Sequence, residues 1–352
     1  LLGAAMKVLL VHPGASFSVS DVYDGLRKGL VANGAEVGVV NLGDRLDLYT
    51  SAHVRSVDGE WIKAFSREDA IKLAAKGIEV VCYEWWPDIV VIVTGSFIPP
   101  EIWGVLARRP HHVVQWCTES PYEDDRQMQP ARYVDTVIVN DPVGLNGFFS
   151  ANPRSWYLPH SYDPDRHKPG RAKKDLACDF AFVGTGFPSR IEFFEKVDWT
   201  GIDARFAGNW SLVEDTSPLF PLLMSNRQDC LDNADTARLY RSAKVSANLY
   251  RKESSDGGTS DGWAMGPREV ELAACETFFL REPRGEGDEV LSMLPTFTTP
   301  TEFEDLLRWW LAHPKERKSA AAQARVAIAD RTFEATAARL LRLIDGHIKI
   351  LH

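Results

Sequence analysis

From Lys7 onward the chain alternates short unbroken apolar runs with amphipathic stretches, and beyond residue 177 the alternation starts again. "KVLLVH" reads as a buried strand, followed by the Pro13-Gly14 turn and an amphipathic helix from about Ser20 to Ala32 that stops at Asn33-Gly34. The strand "EVGVVN" comes next, completing a βαβ unit. Apolar runs without polar alternation belong to strands covered on both faces, so the sheet is expected to be parallel with helices on each side. A helix near 67–84, strand "PDIVVIVTG", a Pro-started helix at 99–108 and strands "HHVVQWC" and "VDTVIVND" extend it into one Rossmann-like domain. No internal repeat is visible, which excludes a solenoid.

Residues 159–177, "PHSYDPDRHKPGRAKKDLA", carry three prolines and a charge run without apolar period, and read as an interdomain linker. Then come strand "CDFAFVGTG", helix "PSRIEFFEKV", strand "DARFAGNW", helix "TARLYRSA", strand "KVSANLY", a Gly/Ser-rich loop at 253–262, helix "PREVELAAC", strand "TFFLRE" and three helical stretches from about 301. The expected fold class is α/β, with two Rossmann-like domains facing a central cleft and a helical C-terminal tail. Expected boundaries are 6–158, the linker 159–177, 178–332, and a C-terminal helix 333–352 packing back on the first domain. A length of 352 residues, 45% hydrophobic and 25% charged, suits two globular domains.

A formal charge of -9 argues against a surface that attracts polyanions throughout, while leaving room for a local basic groove. Arg108, Arg109, His111 and His112, with Trp85, Trp86, Trp103 and Trp116 nearby in sequence, form one such cluster; the competing reading is a solvated helix end with core tryptophans. Five widely spaced cysteines with no C-x-x-C pair fit a reducing cytoplasm, no apolar run reaches the ~20 residues of a membrane span, and residues 1–5 read as a leader or cloning remnant ahead of Met6. Glu123, Asp124 and Asp125 read as a solvated loop rather than a metal pair. Nothing has the spacing of a zinc site, a P-loop or a nucleophile elbow.

The ordered series "FVGTGFPSR", "FAGNW", "LYRSAKVSANLY", "GPREVELAACETFFLRE" and "EFEDLLRWWLAHPKERKSAAAQAR" resembles the group-1-like glycosyltransferases of GT-B architecture, closest to the branch named after a bacterial spore-maturation protein. The resemblance covers residues 178–343 well and 7–165 in outline. It implies a nucleotide-sugar donor held by the second domain, a UDP-sugar first, with GDP- and TDP-sugars open and no metal or further cofactor required. Gly184 and Gly186 end a strand where backbone can approach a diphosphate, with Arg190 in the next helix's first turn. The helix opening at Gly266-Pro267, with Arg268 as a fixed cation, is the expected diphosphate seat. Glu271, one turn on, holds the donor ribose in the resembling family. Asn209, Trp210, Asn248 and Tyr250 lie at strand ends expected to face the donor, with core packing the alternative for Trp210. The loop "KESSDGGTSDGW" is expected to close over bound donor. Two departures stand out: Trp263 where many relatives have a second glutamate, and Cys275 where they have glycine.

The first domain is expected to hold the acceptor. An inverting enzyme needs a base there, whereas a retaining one can use the donor phosphate. The three candidates are His12 and Glu119, each just past a strand end, and Asp21, in the first turn of the helix after the first strand. His160, in "YLPHSYDP", reads as linker geometry. The acceptor stays open, with duplex DNA carrying hydroxymethylated pyrimidines as one alternative, its target base turned out of the stack. A sugar-nucleotide epimerase and a non-catalytic two-lobed binding protein are the rival classes.

Overall fold

The computed structural model describes residues 5–15, 19–108, 110–224, 228–253 and 261–348. The chain divides into two compact units, Leu1–Leu158 with Phe333–His352, and Pro159–Thr332.

The first unit runs β1 (Lys7–Val11), α1 (Ser20–Ala32), β2 (Glu36–Val40), α2 (Leu42–Ser51), β3 (His53–Arg55), β4 (Trp61–Lys63), α3 (Arg67–Trp85), β5 (Ile89–Val93), α4 (Pro100–Leu106), β6 (His112–Trp116), α5 (Asp124–Met128), β7 (Thr136–Val139), α6 (Leu145–Ala151) and β8 (Ser155–Tyr157). Six strands form one parallel sheet in the order β2-β1-β5-β6-β7-β8, with Val8 of β1 paired to Val37 and Ile89. Alternate residues face opposite sides, and both sides are buried. Val8, Leu10, Val91 and Val93 pack with Leu26 and Leu30 of α1, while Leu9, Val11, Val90 and Ile92 pack with Leu42, Ala74, Ile78 and Cys82 of α2 and α3. That is why residues 8–11 of β1 and all of β5 are apolar at every position.

The second unit runs β9 (Cys178–Val183), α7 (Pro188–Glu195), β10 (Ala204–Ala207), α8 (Asn233–Tyr240), β11 (Ala243–Asn248), α9 (Pro267–Ala274), β12 (Phe279–Arg281), α10 (Gly285–Val290), α11 (Pro300–Ala312) and α12 (Pro314–Ala327). Its four strands are parallel in the order β10-β9-β11-β12. An aromatic core of Phe180, Phe182, Phe194, Phe206, Trp210 and Phe303 fills one side. Residues 159–177 are packed on this unit: Tyr162 bridges to Thr332, and Arg241 donates to the carbonyls of Arg166 and Lys168 at 3.2 and 3.3 Å.

The last helix, α13 (Phe333–Ile348), returns to the first unit and lies on α1. The contact depends on two missing side chains. A Cβ at Gly25 would stand 2.1 Å from the Phe333 ring, and one at Gly29 2.3 Å from the Phe333 carbonyl oxygen. Phe333, Ala337, Leu340 and Ile344 close the β1–β5 face.

Helix α1 coincides with the expected span. The short elements α5, α6, β8 and α10 and the β3–β4 hairpin were not expected, because none is long enough to show a period, and neither was the ten-residue α2, of which only Leu42 and Leu46 are buried. All six residues of β3 and β4 are exposed.

Candidate functional site

In the second unit the chain order of strands reverses in space between β9 and β11, and open parallel sheets bind ligands at the carboxyl ends of such a pair. Arg268 spans that gap. Its Nε donates to the carbonyl of Val183 at 2.7 Å and its Nη1 to Asn248 Oδ1 at 2.8 Å, with the guanidinium 4.6 Å from the Phe182 ring centre. Gly184 makes room for it: φ is +153°, and a Cβ there would stand 2.3 Å from Arg268 Nη2. One charged fork thus ties together both strand ends and the start of α9.

At the head of α9, Gly266 is the cap in extended conformation and Pro267 the exposed first residue. Glu269, fully buried, reaches back so that its Oε2 accepts the Gly266 N–H at 2.8 Å and the Tyr250 hydroxyl. Burial raises the Glu269 carboxyl above its ordinary value, against the opposing pull of Tyr250, the Gly266 N–H, Arg281 and Arg284. Burial, then the charge of Glu269, raises the Tyr250 hydroxyl well above its usual range; Arg284 stacks 3.6 Å from the Tyr250 ring centre. Glu269 was not among the residues read from the sequence, although a glutamate three residues into a Gly-Pro helix start is a capping signal. Asn248 is buried with its amide Nδ2 unpartnered, next to Gly266. Glu271 lies half-buried in the second turn of α9, where its charge, after burial, raises the hydroxyl of Tyr240.

Several expected donor contacts have other work in the structure. Arg190 is buried, donating through Nε and Nη2 to the Leu249 carbonyl at 3.1 and 2.7 Å and through Nη1 to Thr185 O at 2.9 Å, so it staples two loops rather than presenting a cation. Trp210 is fully buried against Phe182 and Phe206, its indole N–H on Ala207 O at 3.1 Å, and cannot frame a base. Gly186 is small to admit that ring, since a Cβ would stand 2.4 Å from it. Asn209 Oδ1 is taken by the Ser211 N–H and hydroxyl, a turn contact. Trp263 packs over Gly285 at the start of α10, and Cys275 is buried at the end of α9. His160 sits beside Glu286 and Arg331, its pKa pulled down to about 4 chiefly by burial. The proposed donor-closing loop lies largely outside the described residues, 254–260 among them.

The first unit has its own reversal, between β1 and β5. His12 follows β1, and its Nδ1 accepts the Gly14 N–H at 3.1 Å. A neutral ring in that arrangement carries its proton on Nε2, where it donates rather than abstracts. Burial lowers the His12 pKa, against the charges of Asp24 and Asp44. Asp21 is half-buried in the first turn of α1, and Glu119 half-buried three residues past β6. Two residues not expected from the sequence stand at this edge. Thr94, a buried β-branched residue with φ of +65°, closes β5, and its hydroxyl lies 2.9 Å from that of Thr118.

Of the basic and aromatic residues weighed for a DNA groove, both histidines and two of the tryptophans are buried. His111 and His112 are buried, His111 Nδ1 donating to Pro87 O at 2.6 Å and His112 Nε2 bonded to Thr136 Oγ1 at 2.9 Å. Trp103 and Trp116 are core, and Arg109 lies outside the described residues. Asp124 is not a solvated loop residue: it is half-buried, accepts the Ser120 hydroxyl and is raised by burial. Among the described residues no group of histidine, cysteine or acidic side chains is arranged to hold a metal ion.

The whole chain superposes on solved two-domain structures of one fold. A sucrose-phosphate synthase from Thermosynechococcus elongatus matches with TM-score 0.64 and 12% identity, over 97% of this chain and 98% of that one. HepE from Anabaena, in complex with UDP-glucose, matches with TM-score 0.62 and 13% identity over 96% and 99%. An alpha-glucosyltransferase in complex with UDP and a 13-mer DNA containing an HMU base matches with TM-score 0.62 and 13% identity over 97% and 99%. No curated protein matches the sequence. The fold is therefore GT-B, with two Rossmann-like domains. Residues 190–343, most of the second unit and the start of the last helix, match the family described as glycosyl transferase-like.

Proposed function

We propose that the protein moves a sugar from a nucleotide-diphosphate sugar, a UDP-sugar first, to an acceptor hydroxyl, with the donor diphosphate at the β9/β11 reversal. The observation that carries the placement is the pairing of Arg268 with Asn248, which sets a cation and an unpartnered buried amide N–H group together at the head of α9. Both are donors, and the positive end of α9 adds to them. In the transfer the acceptor oxygen bonds to the anomeric carbon, the bond from that carbon to the diphosphate breaks, and the nucleoside diphosphate leaves with the electron pair. Arg268 and the α9 dipole stabilise the departing charge, a task that needs no metal. Glu271 holds the ribose hydroxyls, and Tyr250 and Glu269 keep Gly266 in register.

His12 donates from Nε2 to an oxygen of donor or acceptor. Asp21 and Glu119 are the candidates to accept the acceptor proton. Five cysteines with no disulfide between them, four of them buried, suit a reducing cytoplasm. No helix among the described residues is long and apolar enough to cross a membrane.

A panel of UDP-, GDP- and TDP-sugars tested for thermal stabilisation, on the native chain and on Arg268→Ala, checks this. Stabilisation by one nucleotide, lost in the variant, is expected. No response to any of them, or an undiminished response in Arg268→Ala, defeats the assignment. Donor turnover without acceptor distinguishes an epimerase.

A further inference from the structure

The first unit holds a cavity of about 310 Å³ between the first two turns of α3 and the loop from β5 to α4. Three observations connect it to acceptor binding. The loop opens at Thr94, whose left-handed backbone is costly for a β-branched residue and persists where the surroundings impose it. Phe97, from the same loop, forms one wall and lies on Gly14, where a Cβ would stand 2.4 Å from the ring. Gly14 in turn donates its N–H to His12. The cavity therefore shares a wall with the turn that orients His12.

The lining states what fits. Glu68 and Glu101 flank Lys72, whose ammonium is 2.7 Å from Glu68 Oε1, so the local charge is net negative. Carboxylates accept hydrogen bonds from hydroxyls and repel phosphate. Phe97 with Pro99 and Pro100 offers an apolar wall for the C–H face of a ring. The volume is at the small end of ligand pockets and holds one ring, so the negative charge of the lining is what discriminates against a phosphate backbone.

We infer that this cavity is the acceptor subsite and takes a single uncharged, polyhydroxylated ring, so that the acceptor is a carbohydrate rather than nucleic acid. The inference rests on the transferase reading above and adds the acceptor class to it.

The test uses the full chain saturated with UDP and the methyl glycosides of glucose, galactose and mannose as probes. Binding is followed by saturation-transfer difference NMR and transfer by nucleotide release. At least one glycoside should bind. Glu101→Lys should weaken that binding at least tenfold, and Glu101→Gln about threefold, with the UDP-induced thermal shift unchanged in both. If a UDP-responsive protein binds none of the three glycosides, or if neither Glu101 variant alters their binding, the subsite is elsewhere. Transfer to a duplex carrying an HMU base, made faster by Glu101→Lys, overturns the carbohydrate class. A protein that responds to no nucleotide sugar defeats the transferase reading instead, and glycoside binding to the nucleotide-free chain then still decides the pocket.

Discussion

Gly184→Ala perturbs the Arg268 fork directly, because the added methyl would sit 2.3 Å from Arg268 Nη2, where ordinary contact begins at 3.4 Å. The guanidinium has to retreat by about 1 Å, which breaks its 2.7 Å bond to Val183 O and its 2.8 Å bond to Asn248 Oδ1. Hydrogen bonds to charged groups are worth roughly 1.5 to 3 kcal/mol each, but Arg268 is only half-buried and water replaces part of the loss. The backbone adds about 1 kcal/mol of strain for an L-residue at this φ. The expected cost is therefore about 2 to 4 kcal/mol, seen as a melting point lower by roughly 5 to 10 °C. Thermal unfolding of four proteins measures it: native, Gly184→Ala, Arg268→Ala and the double variant. In the Arg268→Ala background the methyl meets no guanidinium, so only the strain, about 1 kcal/mol, should remain. Equal costs in the two backgrounds would refute the proposed role of Gly184 as the space for Arg268. The nucleotide response belongs to a separate question: it should vanish in both single variants if the diphosphate sits there.

Trp210→Ala should cost about 3 to 5 kcal/mol in urea unfolding, as expected for a fully buried aromatic, and a variant of native stability with weakened donor binding would restore the base-framing role. Gly29→Ala forces a methyl against the Phe333 carbonyl and should destabilise by about 1 to 3 kcal/mol, whereas a neutral result would mean that α13 shifts freely on α1. His167 is buried with both ring nitrogens unpartnered and its pKa pulled down to about 4, chiefly by burial. An unfolded chain then binds the extra proton between about pH 6.5 and 4, so stability present above 6.5 is lost as pH falls through that window, by up to about 3 kcal/mol. His167→Gln should flatten this slope in acid titrations followed by circular dichroism; an unchanged slope assigns the acid loss to other groups.

Much of this protein was legible in the order of its residues. Unbroken runs such as "IVVIV" require two covered faces, and hence a parallel sheet between helices, whatever the rest of the chain does. Pro267 announced a helix start, and Asn33-Gly34 a helix stop, because each acts through its own backbone. The head of α9 could be picked out for the same reason. Local chemistry does not carry the partner of a side chain. Arg190 and Arg268 look equivalent in sequence, two arginines in the first turn of Pro-started helices. Only the packed structure turns one onto the carbonyl of Leu249 and leaves the other bridging β9 and β11. The histidines at 111 and 112 likewise read as surface charge until the register of β6 buries them. Glu269 and Trp263 were decided the same way, by neighbours some 20 residues distant in sequence. Secondary structure is set by interactions within a few residues, whereas a charge becomes a site or a staple according to which distant groups the fold brings within hydrogen-bonding distance of it.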